Sequence, residues 1–190
     1  MQKFRSELAQ FIDQIYAADK KTLVHGEGSL GARVMLIGEA PGEQETLQGR
    51  PFVGKAGRNL DEFLELAGID RSELYVSNTV KFRPTRISDA GRTVNRPPTR
   101  EEIALFLPWL KREIAMVSPE CVVTLGNVPL KALYDRRAVI GDVHGRFIEA
   151  DGMRLYPMYH PASMIYNPSL KEVYREDVGR LAVWLKEAGK

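Results

Sequence analysis

The chain has 190 residues, of which 44% are hydrophobic and 27% charged, with a formal net charge of +2. That length accommodates one domain, 1–190, with a sizeable core. So small a net charge does not by itself announce a nucleic-acid binder, and no apolar run approaches the ~18 residues of a membrane span. The lone cysteine, Cys121, cannot form an intrachain disulfide or hold a metal cluster. The opening residues lack the apolar core of a signal peptide, so a cytoplasmic location is the default expectation.

Residues 2–16 place Phe4, Leu8, Phe11, Ile12 and Ile15 at helical spacing, predicting an amphipathic first helix. Residues 26–31 match the spelling GxGxxG but precede the first strand, whereas a dinucleotide loop must follow a strand and open a helix. They read instead as a turn. Val34 to Ile37 form an apolar run bounded by Gly38 and followed by Pro41 and Gly42, the pattern of a buried strand ending in a tight turn. Glu39 stands at that turn. In open α/β sheets the crevice at the strand carboxyl ends holds ligands, so Glu39 is a candidate for chemistry; a turn glutamate is the alternative.

A glycine-bracketed loop, residues 49–54, carries the single aromatic Phe52. Leu60, Phe63, Leu64 and Ala67 then share one helical face, with Gly68 as the stop. Residues 74–80 read as a second strand with Asn78 near its end. From Lys81 to Arg100 six cations face one acid, Asp89, among prolines and small polar residues, which predicts a long irregular cationic loop able to meet a phosphate backbone. Thr99 to Glu102 has capping-box spelling, and Ile103, Leu107, Leu110, Ile114 and Val117 continue as a helix. Cys121 to Leu125 is a third strand, and Gly126 opens a short helix. Residues 146–150 and 154–159 are strands joined by a turn at Asp151 and Gly152, and the last runs into His160. Tyr174, Val178, Leu181 and Leu185 stripe a terminal helix. Alternating strands and helices predict a doubly wound α/β/α fold around a mainly parallel sheet, with Glu39, Asn78 and His160 sharing the strand ends.

Residues 38–42, 49–57, 75–81, 125–126 and 160–163 together, in that order, resemble the uracil-DNA glycosylase superfamily, closest to its family 4. The resemblance covers the chain from about Gly26 onward and implies a central sheet of four strands. It also implies a monofunctional, monomeric enzyme that hydrolyses the N-glycosidic bond of deoxyuridine in DNA, after flipping the base out of the duplex, and leaves an abasic site. By the same resemblance Glu39 and His160 are catalytic, with Glu45 assisting. Phe52 stacks on the base, Asn78 reads its edge, and Ala40 and Gly42 line the site. Residues 162–168 hold the minor-groove loop, with Met164 and Ile165 as a joint wedge and Ser163 on a phosphate, and Lys81, Arg83 and Arg58 meet further phosphates.

Family 4 enzymes hold a [4Fe–4S] cluster on four cysteines. Here two of those places carry Phe82 and Phe106, and the N-terminal region has no cysteine, so the chain reads as a relative without cluster or other cofactor. Other readings are a glycosylase for hypoxanthine or xanthine, a non-catalytic DNA-binding module, and a metal-dependent hydrolase using Glu39, Glu43, Glu45 and His160. Scarce histidine weighs against the last.

Overall fold

A computed structural model describes residues 1–187. Helix α1 (Gln2–Ile15) buries Phe4, Leu8 and Ile12. A short strand β1 (Glu27–Gly28) precedes β2 (Val34–Gly38), all of whose residues are buried. After β2 come α2 (Glu43–Gln48), α3 (Lys55–Leu66) and β3 (Tyr75–Asn78). A two-stranded ribbon of β4 (Thr85–Ile87) and β5 (Thr93–Asn95) leads to α4 (Arg100–Val117). The chain continues through β6 (Cys121–Leu125), α5 (Asn127–Leu133), α6 (Ile140–Val143), β7 (Ile148–Ala150) and β8 (Met153–Met158). It closes with α7 (Ser163–Tyr166) and α8 (Leu170–Glu187).

The main sheet has the order β1-β3-β2-β6-β8-β7, in which β3, β2, β6 and β8 are mutually parallel and the two edge strands antiparallel. The two-residue period of β2 explains the layering. Val34 and Leu36 join the core beneath α3 and α8, with Leu60, Phe63, Tyr174 and Val178. Met35 and Ile37 join the opposite core with Leu110 and Ile114 of α4 and Leu133 of α5. Helices therefore cover both faces, and continuous burial of β2 and β6 is what a doubly wound parallel sheet requires. After β2 the chain crosses first to β3 and later to β6 on the other side, so the carboxyl end of β2 lies at the topological switch point.

The mainly parallel four-strand centre agrees with the sequence reading, and the sheet is wider by two edges. Turn residues 26–31 contribute β1, because the backbone of Glu27 and Gly28 finds the free edge of β3. The other edge is the hairpin predicted around Asp151 and Gly152, whose φ values of 48° and 74° supply the left-handed conformation of a tight two-residue turn. Residues 81–100 are less irregular than expected: Thr85, Arg86 and Ile87 pair with Asn95, Val94 and Thr93. The capping box at Thr99 is present, its hydroxyl accepting from Glu102 N while Glu102 accepts from Thr99 N.

Phe82 and Phe106 are fully buried and pack edge to face at 5.6 Å, and Tyr16 adds a second edge contact to Phe82 at 5.3 Å. With Phe4, Leu8, Ile12 and Val80 they form a third core that docks α1 onto α4. Iron–sulfur ligation requires several thiolates. Cys121 is instead a buried residue of β6 beneath α3 and α8, its thiol pushed up to about 12 by burial. These residues do not fit a cluster.

Candidate active site

Four parallel strands deliver four carboxyl ends to one side of the sheet, and a cleft of about 610 Å³ opens there. It is lined by Glu39 and Ala40 after β2, Asn78 at the end of β3, His160 after β8, and Phe52 from the loop between α2 and α3. The ends of β2 and β3 are fastened together. Thr79 N and Oγ1 both donate to the Gly38 carbonyl, at 2.8 and 2.9 Å, and Val80 N donates to the Glu39 carbonyl at 3.0 Å. Gly38 is a requirement of this close approach, because a Cβ there would stand 2.5 Å from both Asn78 Oδ1 and Phe52 Cζ.

Phe52 has a φ of 53°, an uncommon conformation for a non-glycine residue that costs ~1–3 kcal/mol and persists only where its surroundings impose it. Here two side chains impose it. Arg71 donates to the Pro51 and Phe52 carbonyls at 2.8 and 3.1 Å. Glu45 accepts from Val53 N at 3.0 Å, Gly54 N at 2.6 Å and Gly42 N at 3.1 Å. Both Glu45 oxygens are thus engaged by backbone: Glu45 lines the cleft and ties the turn after β2 to the Phe52 loop. Gly42 is turned toward that carboxylate. Arg71, which sequence reasoning missed, lies in the turn after α3 and belongs to no motif there; only the folded chain brings it under Phe52.

The Phe52 and His160 rings lie 5.8 Å apart at an interplanar angle of 31°. His160 Nδ1 accepts from Ala162 N at 3.1 Å, so the neutral ring carries its proton on Nε2. Burial lowers the His160 pKa to about 4, partly opposed by the Glu45 charge, and keeps the imidazole neutral near pH 7. Glu39 is half-buried, and burial alone raises its carboxyl above the usual range. Asn78 is 3% exposed. The cleft therefore presents a carboxylate, an amide and a neutral N–H donor around an aromatic ring. Among the described residues no group of three His, Cys, Asp or Glu side chains is arranged to hold a metal ion.

Other expected contacts divide. Lys81 is fully buried and donates to Glu113 Oε2 at 2.5 Å, Ser77 Oγ at 2.6 Å and the Asn78 carbonyl at 2.7 Å, so it cannot meet a phosphate. Its ammonium is directed inward because Glu113 of α4 lies under β3. Arg83 bridges Asn95 Oδ1 at 2.6 Å and Glu43 Oε1 at 3.2 Å, fixing the ribbon against α2 at the cleft rim. Arg58 is exposed on α3. Met164 is 2% exposed and packs into the core with Tyr174, which removes it as a wedge; the single turn of α7 points it inward. Ile165 and Ser163 are half-buried. Tyr166, which sequence reasoning did not single out, lies on the cleft lip at 86% exposure.

No helix among the described residues is long and apolar enough to cross a membrane. The family model for the uracil DNA glycosylase superfamily matches residues 25–180. A type-4 uracil-DNA glycosylase of Saccharolobus solfataricus is 37% identical over 167 residues, 83% of this chain and 74% of that protein. One from Thermotoga maritima is 36% identical over 175 residues, 90% of this chain and 87% of that protein. A type-5 uracil-DNA glycosylase of Pyrobaculum aerophilum is 35% identical over 154 residues, 74% of this chain and 66% of that protein. With a family match over most of its length and relatives above 30% identity, the chain belongs to the uracil DNA glycosylase superfamily.

Proposed function

We propose that the protein hydrolyses the N-glycosidic bond between uracil and deoxyribose in DNA, leaving an abasic site, with Glu39, Asn78, His160 and Phe52 as its working residues. The observation that carries this reading is the convergence of three strand-end side chains and one aromatic ring on a single cleft. A base within a duplex is out of reach, so the nucleotide is flipped into the cleft at a cost of a few kcal/mol. Stacking on Phe52 offsets ~1–3 kcal/mol of it.

Asn78 offers one acceptor and one donor, matching N3–H and O4 of uracil and mismatching the amino group of cytosine. A site built for those bonds discriminates strongly, because the wrong base leaves its polar groups unpaired. As the bond from C1′ to N1 breaks, its electron pair leaves with the base and negative charge gathers on O2. The Nε2–H of neutral His160 donates to that oxygen. A neutral donor suits the role, since it needs no proton from solvent. Glu39 faces the cationic sugar and takes a proton from the water that attacks C1′; its raised pKa moves it toward the range where a base is most effective. Glu45 and Arg71 hold the backbone of the Phe52 loop. Exposed Arg86, Arg92 and Arg58 and the rim residue Arg83 supply the electrostatic attraction to phosphate.

Single-turnover cleavage of oligonucleotides carrying U·G, U·A, unpaired uracil, hypoxanthine or xanthine, in chelator, tests the reading, with Glu39→Gln and Asn78→Ala alongside. Uracil release that collapses in both variants is the expected result. Release of another deaminated base alone moves the substrate. Tight binding without any cleavage makes the fold a recognition module.

A further inference from the structure

We propose that the groove between α4 and α5 docks an acidic amphipathic helix of a partner protein, a reading that does not depend on the glycosylase chemistry above. The groove encloses about 770 Å³, more than the cleft of about 610 Å³, and shares no lining residue with it. Its origin is visible in the spacing of α4. Phe106, Leu110 and Ile114 are taken up by the cores, whereas Ile103 and Leu107, which continue the apolar stripe, stay half-buried. On α5, Pro129, Leu130 and Leu133 are buried, and Val128 and Ala132 are left to the groove. Ala104 and Ala132, the smallest side chains of the lining, leave the room between the two helices. Apolar surface left open between two helices is the seat of a third, whose anchors recur at i, i+3 or i+4 and i+7.

The charges of the lining decide which helix fits. Arg100, Lys131 and Arg136 line the groove, all three are exposed, and the lining contains no acid. Other cations on or beside α4 are paired, Arg96 with Glu102, Lys111 with Asp151 and Arg112 with Glu7. Among the described residues Arg100, Lys131 and Arg136 have no such partner. Three free cations around an apolar groove complement carboxylates that flank apolar anchors. A phosphate backbone would use the cations and leave the apolar lining empty, so nucleic acid is the poorer fit. Arg96 and Pro97 line the cleft, whereas the groove begins at Arg100. An occupant therefore stands beside the cleft and tethers the protein while leaving the cleft open.

The test is fluorescence anisotropy of a labelled helical peptide with leucines at i, i+4 and i+7 and glutamates between them. Two controls replace the glutamates by lysines or the leucines by serines. The full chain is expected to bind the acidic peptide with a Kd on the order of micromolar and both controls at least roughly tenfold more weakly. Lys131→Glu combined with Arg136→Glu should weaken the acidic peptide by roughly tenfold or more and favour the lysine peptide. Ala104→Trp fills the groove without changing its charge and should abolish binding, with circular dichroism showing that each variant is folded. No saturable binding by the wild type, equal binding of either control, or unchanged binding by the folded variants overturns the proposal. Displacement of the peptide by uracil-free duplex DNA, with the charge reversals weakening both ligands alike, assigns the groove to nucleic acid and overturns it as well.

Discussion

Two glutamates flank the end of β3, both drawn away from open water, and their surroundings are opposite. Glu113 is 1% exposed and wholly partnered: Lys81 Nζ lies 2.5 Å away, and the Tyr75 and Ser77 hydroxyls donate to it at 3.0 Å each. Glu39 is half-buried, and desolvation is the one cause of its raised pKa, with no cation to offset it. The alternation of β3 sorts the two environments, since Ser77 points toward Glu113 and the next residue, Asn78, lines the cleft. A buried charge left alone costs several kcal/mol, whereas a paired one with its remaining hydrogen bonds made is tolerated. The contrast teaches that unpaired polar groups mark the reacting side of the sheet and paired ones its support.

Exchanging one carboxylate at a time breaks the comparison most sharply. Glu39→Gln should lower single-turnover uracil release by roughly 10²–10⁴-fold, the range of a lost general base, with a denaturation midpoint at or above that of the wild type. Lys81→Met should do the reverse, destabilising the fold by ~3–5 kcal/mol because buried Glu113 loses its countercharge, as urea titration would measure. Pairing it with Glu113→Leu should recover most of that loss; failure to recover would mean that the ion pair is not what Lys81 contributes. Arg71→Met frees the Phe52 loop without touching the cleft, so KM for uracil DNA should rise by roughly tenfold with kcat less affected.

A further effect is read in the pH dependence of stability and separates His160 from Glu39. Its pKa drops from 6.5 to about 4, so the unfolded chain takes up a proton in that interval and the folded chain does not. The stabilisation is complete above pH 6.5 and is lost as pH falls toward about 4. His160→Gln should flatten the decline seen in unfolding titrations across this window. His25, also lowered to about 4 by burial and then by Arg5 and Lys81, keeps part of the slope. Glu39 has the opposite sign, since a raised carboxyl pKa favours the folded state at low pH and loses that contribution as pH rises through it.

Much of this protein was determined by the sequence alone, because its signals are local. Apolar runs mark β2, β3 and β6, with glycine closing the first and last, the Thr99 and Glu102 pair announces α4, and Asp151 with Gly152 announces the hairpin. Glu39, Asn78 and His160 were legible because each closes such a run, and parallel strands bring their ends together. The tertiary structure alone decided where long side chains point. Lys81 reads as one more cation of a basic loop, yet α4 sets Glu113 beneath it and turns it inward. Glu45 reads as a third acid of the site, yet three backbone N–H groups from two loops claim it. Met164 and Tyr166 are two residues apart in one short turn, and which enters the core depends on the packing of that turn against α8. Strand ends follow from chain direction, whereas a flexible side chain takes its direction from partners distant in sequence, and those exist only once the sheet has formed.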